Sequence, residues 1–157
     1  MPRKRRKLFV QPIEPDERYH SELVAQFINK ILMCGGKEVA RKIMYKALEE
    51  VRRRTKLEPL EILEKACKNV TPRLEVKPRR VGGATYQVPQ EVPRRRGRSL
   101  CIRWIVDFAR ERKGKPMFMK FAGEIIDASN GIGGAIKKKE NMHKMAEANR
   151  AFAHYRW

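Results

Sequence analysis

Long apolar runs are missing from this sequence; the longest, such as Ile31 to Cys34, last about one helical turn. A membrane-spanning helix needs about 20 such residues, and no basic helix here carries Trp, Phe and Leu opposite its charges, so no membrane partner is expected. The basic N-terminus also lacks the apolar segment of a secretory signal, which predicts a cytoplasmic protein. Cysteine is scarce. Cys34, Cys67 and Cys101 are odd in number, far apart and set in apolar helical stretches, as reduced core thiols are. His20, His143 and His154 are scattered, with no Cys or carboxylate at metal-ligand spacing, and no strained Ser turn or Cys setting marks a nucleophile. Gly131, Gly133 and Gly134 follow no strand and precede no Lys-Ser or Lys-Thr pair, so they read as a helix stop rather than a phosphate loop. No catalytic residue, metal, cofactor or small-molecule substrate is expected. Acid is the last shortage: 18 Asp and Glu face 37 Lys and Arg, a net charge of +19. Self-repulsion on that scale opposes compaction unless a polyanion neutralises it, which makes nucleic acid the expected partner.

The 157 residues, 41% of them hydrophobic, suit one domain with a modest core. Pro2 to Lys7 holds five cations and no acid, so residues 1–18 begin as a basic extension expected to be disordered when free. Helical periodicity begins at Ser21, with Leu23, Val24, Phe27, Ile28, Ile31 and Leu32 on one face until Gly35 and Gly36 stop it. A second helix, Lys37 to Arg54, is predicted to bury Val39, Ile43, Ala47, Leu48 and Val51 and to expose Glu49, Glu50 and Arg52 to Arg54. A third starts at Pro59, a favoured first helical residue, and buries Leu60, Leu63, Cys67 and Val70.

The period then drops from 3.6 to 2, because Leu74 and Val76 alternate with Glu75 and Lys77, and Tyr86 and Val88 with Thr85 and Gln87. Gly82 and Gly83 between these runs supply the positive dihedrals of a tight turn, so residues 73–92 read as one β-hairpin. Pro78 and Pro89 cannot donate ladder bonds, which suits the open edges of a free ribbon. Two strands alone are marginal in water, so the ribbon either orders on a partner or lies against the helices. Helical spacing returns with Leu100, Cys101, Trp104, Ile105 and Phe108, again after Pro116 with Phe118, Phe121, Ala122 and Ile125, and finally from Ile136 to Ala151. The expected fold is mainly α: a six-helix bundle-like core with an inserted two-stranded hairpin arm, all in one RNA-binding domain, 1–157.

The cations are clustered in the N-terminal arm, at Lys77 to Arg80, in the run Arg94, Arg95, Arg96 and Arg98, and at Lys137 to Lys139. Such clusters, poor in acid, point to phosphate, and Arg94 to Arg98 also open a helix, whose free N–H groups favour anions. Arginine forks onto phosphate and stacks on bases, which fits folded RNA with junctions and loops. Tyr86, Trp104, Tyr155 and Trp157 are the stacking candidates; Trp104 lies on an apolar helix face and reads as core, whereas Tyr155 and Trp157 end a basic tail. A free nucleic-acid-binding regulator is the alternative, but a groove reader concentrates its contacts on one recognition helix, and here they are spread.

The hairpin residues Leu74-Glu75-Val76-Lys77-Pro78-Arg79-Arg80-Val81-Gly82-Gly83-Ala84-Thr85-Tyr86-Gln87-Val88-Pro89 closely resemble the arm of the family of ribosomal protein seven of the small subunit. The ending Met145-Ala146-Glu147-Ala148-Asn149-Arg150-Ala151-Phe152-Ala153-His154-Tyr155-Arg156-Trp157 resembles that of the bacterial form, and the resemblance runs through the whole chain. It implies a structural protein that binds the 3′ major domain of small-subunit ribosomal RNA, organises assembly of the head, and sits near the exit-site tRNA and the mRNA. It implies RNA contacts at Arg3, Lys4, Arg5, Arg6, Lys7, Lys37, Lys77, Arg94, Arg95, Arg96 and Arg98. It also places Arg79, Arg80, Gly82, Gly83, Tyr155 and Trp157 near tRNA and mRNA. Implied neighbours are the ninth, eleventh, thirteenth and nineteenth small-subunit proteins, and some relatives bind their own mRNA. Family members often carry two basic residues after the Gly at position 36, but here Glu38 follows Lys37.

Overall fold

A computed structural model describes residues 12–155. The arm residues Arg3, Lys4, Arg5, Arg6 and Lys7 and the terminal Trp157 lie outside them. The described chain forms α1 (Glu22–Ile31), α2 (Lys37–Thr55), α3 (Pro59–Val70), β1 (Leu74–Val81), β2 (Ala84–Glu91), α4 (Arg94–Glu111), α5 (Met117–Ser129), α6 (Gly134–Ala148) and a C-terminal 3₁₀ helix (Arg150–Tyr155). Six α-helices and one antiparallel hairpin are thus present as the periodicity requires.

Prolines set several starts: Pro59 is the first residue of α3, and Pro93 and Pro116 directly precede α4 and α5. α5 is the central rod, packed on α2, α3 and α4. Its Phe121, Ala122, Ile125 and Ala128 are wholly buried, and Phe121 meets Phe27 of α1 edge-on at 5.6 Å. α6 is fixed at its start in two ways. Buried Glu124 accepts the Ala135 N–H at 3.0 Å while Arg112 donates to its other oxygen, and a Cβ on Gly134 would lie 2.5 Å from the Phe108 ring.

Several expectations need correction. α1 ends at Ile31 rather than at the glycines, and Cys34, at φ 50°, is exposed in the turn instead of buried. Cys101 is buried and Cys67 half-buried. In α2 the buried stripe runs through Ala40 and Met44, one position on from the expected Val39 and Ile43; Val39 is 61% exposed. Both stripes are apolar, and small Ala40 permits closer helix approach. Glu50, expected in solvent, is covered and held by Arg53 and Arg54 at 2.8 and 2.6 Å. In α3, Ile62 and Ala66 enter the core, while Leu60 and Cys67 lie at its margin. α6 stops at Ala148, three residues early, because the chain tightens into the 3₁₀ helix.

The chain also joins the core before residue 18. Asp16 is buried, accepting the N–H groups of Arg18 and Tyr19 at 3.1 Å each and the Tyr45 hydroxyl at 2.7 Å. Burial, with this bond to Asp16, pushes the Tyr45 pKa up to about 12.

Candidate nucleic-acid interface

Arg94, Arg95 and Arg98 occupy the first turns of α4 on exposed backbone positions, and none makes an ion pair among the described residues. The run can start a helix because Gly97 is buried: a Cβ there would come within 3.0 Å of Thr71 Cγ2, so the glycine lets α4 pack against the end of α3. Opposite stands the polar face of α1, Gln26, Asn29 and Lys30. Between the two helices lies a cleft of about 560 Å³, bounded also by Ser99, Ile102 and Arg103 of α4 and by Ile13. Five cations and no carboxylate line it. Asn29 and Ile13 also border a second cleft, in which Lys37 and Arg41 stand with Glu14, Asp16 and Glu17, so Lys37 lies on a neighbouring surface of mixed charge and not in the acid-free cleft.

Arg96 points the other way. Its Nε donates to the carboxylate of Glu75 on β1, at 2.6 Å to the nearer oxygen, and Lys77 reaches the same group at 3.0 Å. Glu75 is almost fully buried although its strand pattern places it on the polar face. Burial alone would raise its pKa, but the hydrogen bonds from Arg96 and Lys77 outweigh that and hold it below the usual carboxylate range. This acid therefore clamps the hairpin to α4 and engages two of the expected RNA contacts, each leaving roughly half of its side chain exposed. Lys139, in another basic cluster, donates to the Asn69 carbonyl at 2.6 Å. Glu38 pairs with Arg41 at 3.0 Å, and Arg41 also binds Glu17, so the acid after Lys37 is neutralised locally.

The hairpin is closed by a two-residue turn in which Val81 pairs with Ala84 and Gly82 and Gly83 take φ of 56° and 91°. Arg80 and both glycines are exposed at this tip. The flank of the ribbon behind the turn lies against α6 and the 3₁₀ helix. There Tyr155 is no open tail: it stacks on Tyr86 at 5.3 Å beside Phe152 at 5.1 Å. The sequence reading missed Gln26, Asn29, Lys30 and Arg103. The i, i+3, i+4 spacing of the first three on α1 was visible, but a polar helix face is ordinarily just a solvated one, and Arg103 on α4 stood apart from the basic run.

Known proteins place the chain. The family model for ribosomal protein S7p/S5e matches residues 2–150. The chain is 63% identical to the small ribosomal subunit protein uS7 of Dictyoglomus thermophilum, with 92% of this chain and 93% of that protein covered. It is 60% identical to the protein of the same name from Carboxydothermus hydrogenoformans, covering 91% and 92%. Against that of Thermotoga petrophila the identity is 56% over 98% and 99%.

Proposed function

Because the chain belongs to the ribosomal protein S7p/S5e family, we propose that its acid-free cleft is the centre of an RNA-binding face on a structural, non-enzymatic component of the cytoplasmic small ribosomal subunit. One observation carries the reading: five cations from two helices converge on the cleft with no acid among its walls. A solvated surface mixes charges of both signs, whereas a phosphate-binding one concentrates cations and gains affinity by counterion release. The expected RNA contacts are Lys37, Lys77, Arg94, Arg95, Arg96 and Arg98, together with Arg3, Lys4, Arg5, Arg6 and Lys7. Arg79, Arg80, Gly82 and Gly83, with Tyr155 and Trp157 at the C-terminus, are assigned to the neighbourhood of exit-site tRNA and mRNA.

The RNA in this reading is the 3′ major domain of the small-subunit ribosomal RNA, where binding organises the head among its ninth, eleventh, thirteenth and nineteenth proteins. What supports it is the whole-chain likeness to the family together with the convergence of Lys30 and the α4 arginines on the cleft. The test is titration of the full chain with a 3′ major-domain fragment at rising salt. Neutralising roughly 6 to 10 phosphates gives a slope of log affinity on log salt of about −5 to −9. Arg94→Ala with Arg95→Ala and Arg98→Ala should flatten it by about 2 to 3. A slope near zero for the unaltered protein overturns the reading.

A further inference from the structure

Phosphate binding alone leaves the shape and floor of the α1–α4 cleft unexplained. At about 560 Å³ this open cleft is far larger than a phosphate and has room for an organic group. Ile102 of α4, almost wholly buried, and Ile13, which is 40% exposed, give it apolar surface among the cations. Gln26 and Asn29 stand one turn apart on α1 and also line it. Neither side chain has a hydrogen-bond partner among the described residues, although Gln26 is half covered. An amide pair with free donors and acceptors, set beside apolar surface and ringed by guanidinium groups, matches a group that is flat, rich in hydrogen-bonding edges and attached to phosphate.

We propose that this cleft receives one unpaired nucleotide of the bound RNA, its base laid against Ile102 and Ile13 and its edge read by Gln26 and Asn29. Arg94 and Arg98 hold the flanking phosphates. The proposal rests on the RNA-binding function above and adds to it a base-reading element, since contacts to phosphate fix position while contacts to base edges carry sequence information. Unpaired, splayed-out bases are what proteins read in RNA, because the major groove of its duplex is closed to side chains.

The test separates the two kinds of contact on the full chain with the 3′ major-domain fragment. Gln26→Leu with Asn29→Leu keeps size and removes the amides; both sites are partly exposed, and helical circular dichroism checks the fold. This variant should bind about tenfold to a hundredfold more weakly with an unchanged salt slope. In a chemical footprint one base should regain reactivity at its pairing edge, while the backbone protections remain. Arg94→Ala with Arg98→Ala should instead flatten the slope. Unchanged affinity of the amide variant, or a footprint in which no base regains reactivity, overturns the proposal while leaving RNA binding intact. Occupation of the cleft by polyglutamate while the RNA stays bound with every base protection in place would make it an acidic-peptide site and also overturn the proposal. If the unaltered chain does not bind the fragment with steep salt dependence, the function and this inference fall together.

Discussion

The root and the tip of the hairpin share one ladder but differ in what surrounds them. At the root Val88 is wholly buried and Glu75 is clamped by Arg96 and Lys77, while nearer the turn Tyr86, paired with Arg79, is covered by Phe152 and Tyr155. The Arg73 N–H donates to His143 Nε2 of α6 at 3.0 Å, and the Val92 N–H closes back on the Arg73 carbonyl at 2.9 Å. At the tip nothing lies within 4 Å of where a Cβ on Gly82 or Gly83 would sit. Two strands are barely stable alone, so the root takes its order from α4 and α6, the ribbon beyond it from the 3₁₀ helix, and the Gly82-Gly83 turn from its own geometry. A ribbon anchored in this way can keep a fixed direction while presenting an adaptable end.

The largest effect that sharpens this contrast is expected from Val88→Ala. Removing two buried methyl groups and leaving a void should cost about 2 kcal/mol in urea unfolding, with the hairpin amides near residue 88 losing protection from hydrogen exchange. A change indistinguishable from zero would mean that the root is not packed as part of the fold.

A smaller effect concerns His143. Burial first, then the nearby charges of Lys139 and Arg73, hold its pKa below 6.5. The folded protein therefore keeps His143 neutral, with Nε2 free to accept the Arg73 N–H, while the unfolded chain binds a proton more readily. The linked stability is fully present above pH about 6.5, falls as pH drops below it, and levels off once the folded protein also takes the proton. His143→Phe should remove this pH-dependent component of the melting temperature and cost under about 1 kcal/mol at pH 8, since the bond it loses is solvent-accessible. The same slope in both proteins would assign the titration elsewhere.

The smallest effect on stability should come from Gly82→Val with Gly83→Val. Here the obstacle is the positive φ of both residues and no steric clash, so the strain stays in the turn. The melting temperature should stay within about 2 °C of the unaltered protein, against a clear drop for Val88→Ala. Altered chemical shifts should be confined to residues 80–85. A large drop in melting temperature would show that tip and root are one cooperative unit.

The kinds of element and their order were legible in the sequence because hydrophobic period, proline placement and the Gly82-Gly83 pair act within a few residues of the chain. The basic run at the start of α4 was legible too, as a cluster. Its division was not: Arg96 turns to Glu75, 21 residues away in sequence, while Arg94, Arg95 and Arg98 line the cleft. Similarly, Tyr155 read as open tail because its partner Tyr86 lies on a distant strand, and Cys34 read as core because the positive φ at the end of the α1 turn leaves no trace in apolar spacing. Periodicity reports which face of an element is apolar, a local property. Which cation keeps its charge for a partner, and which polar side chains meet across a cleft, is set by the approach of residues far apart in the chain, and only the packed structure decides it.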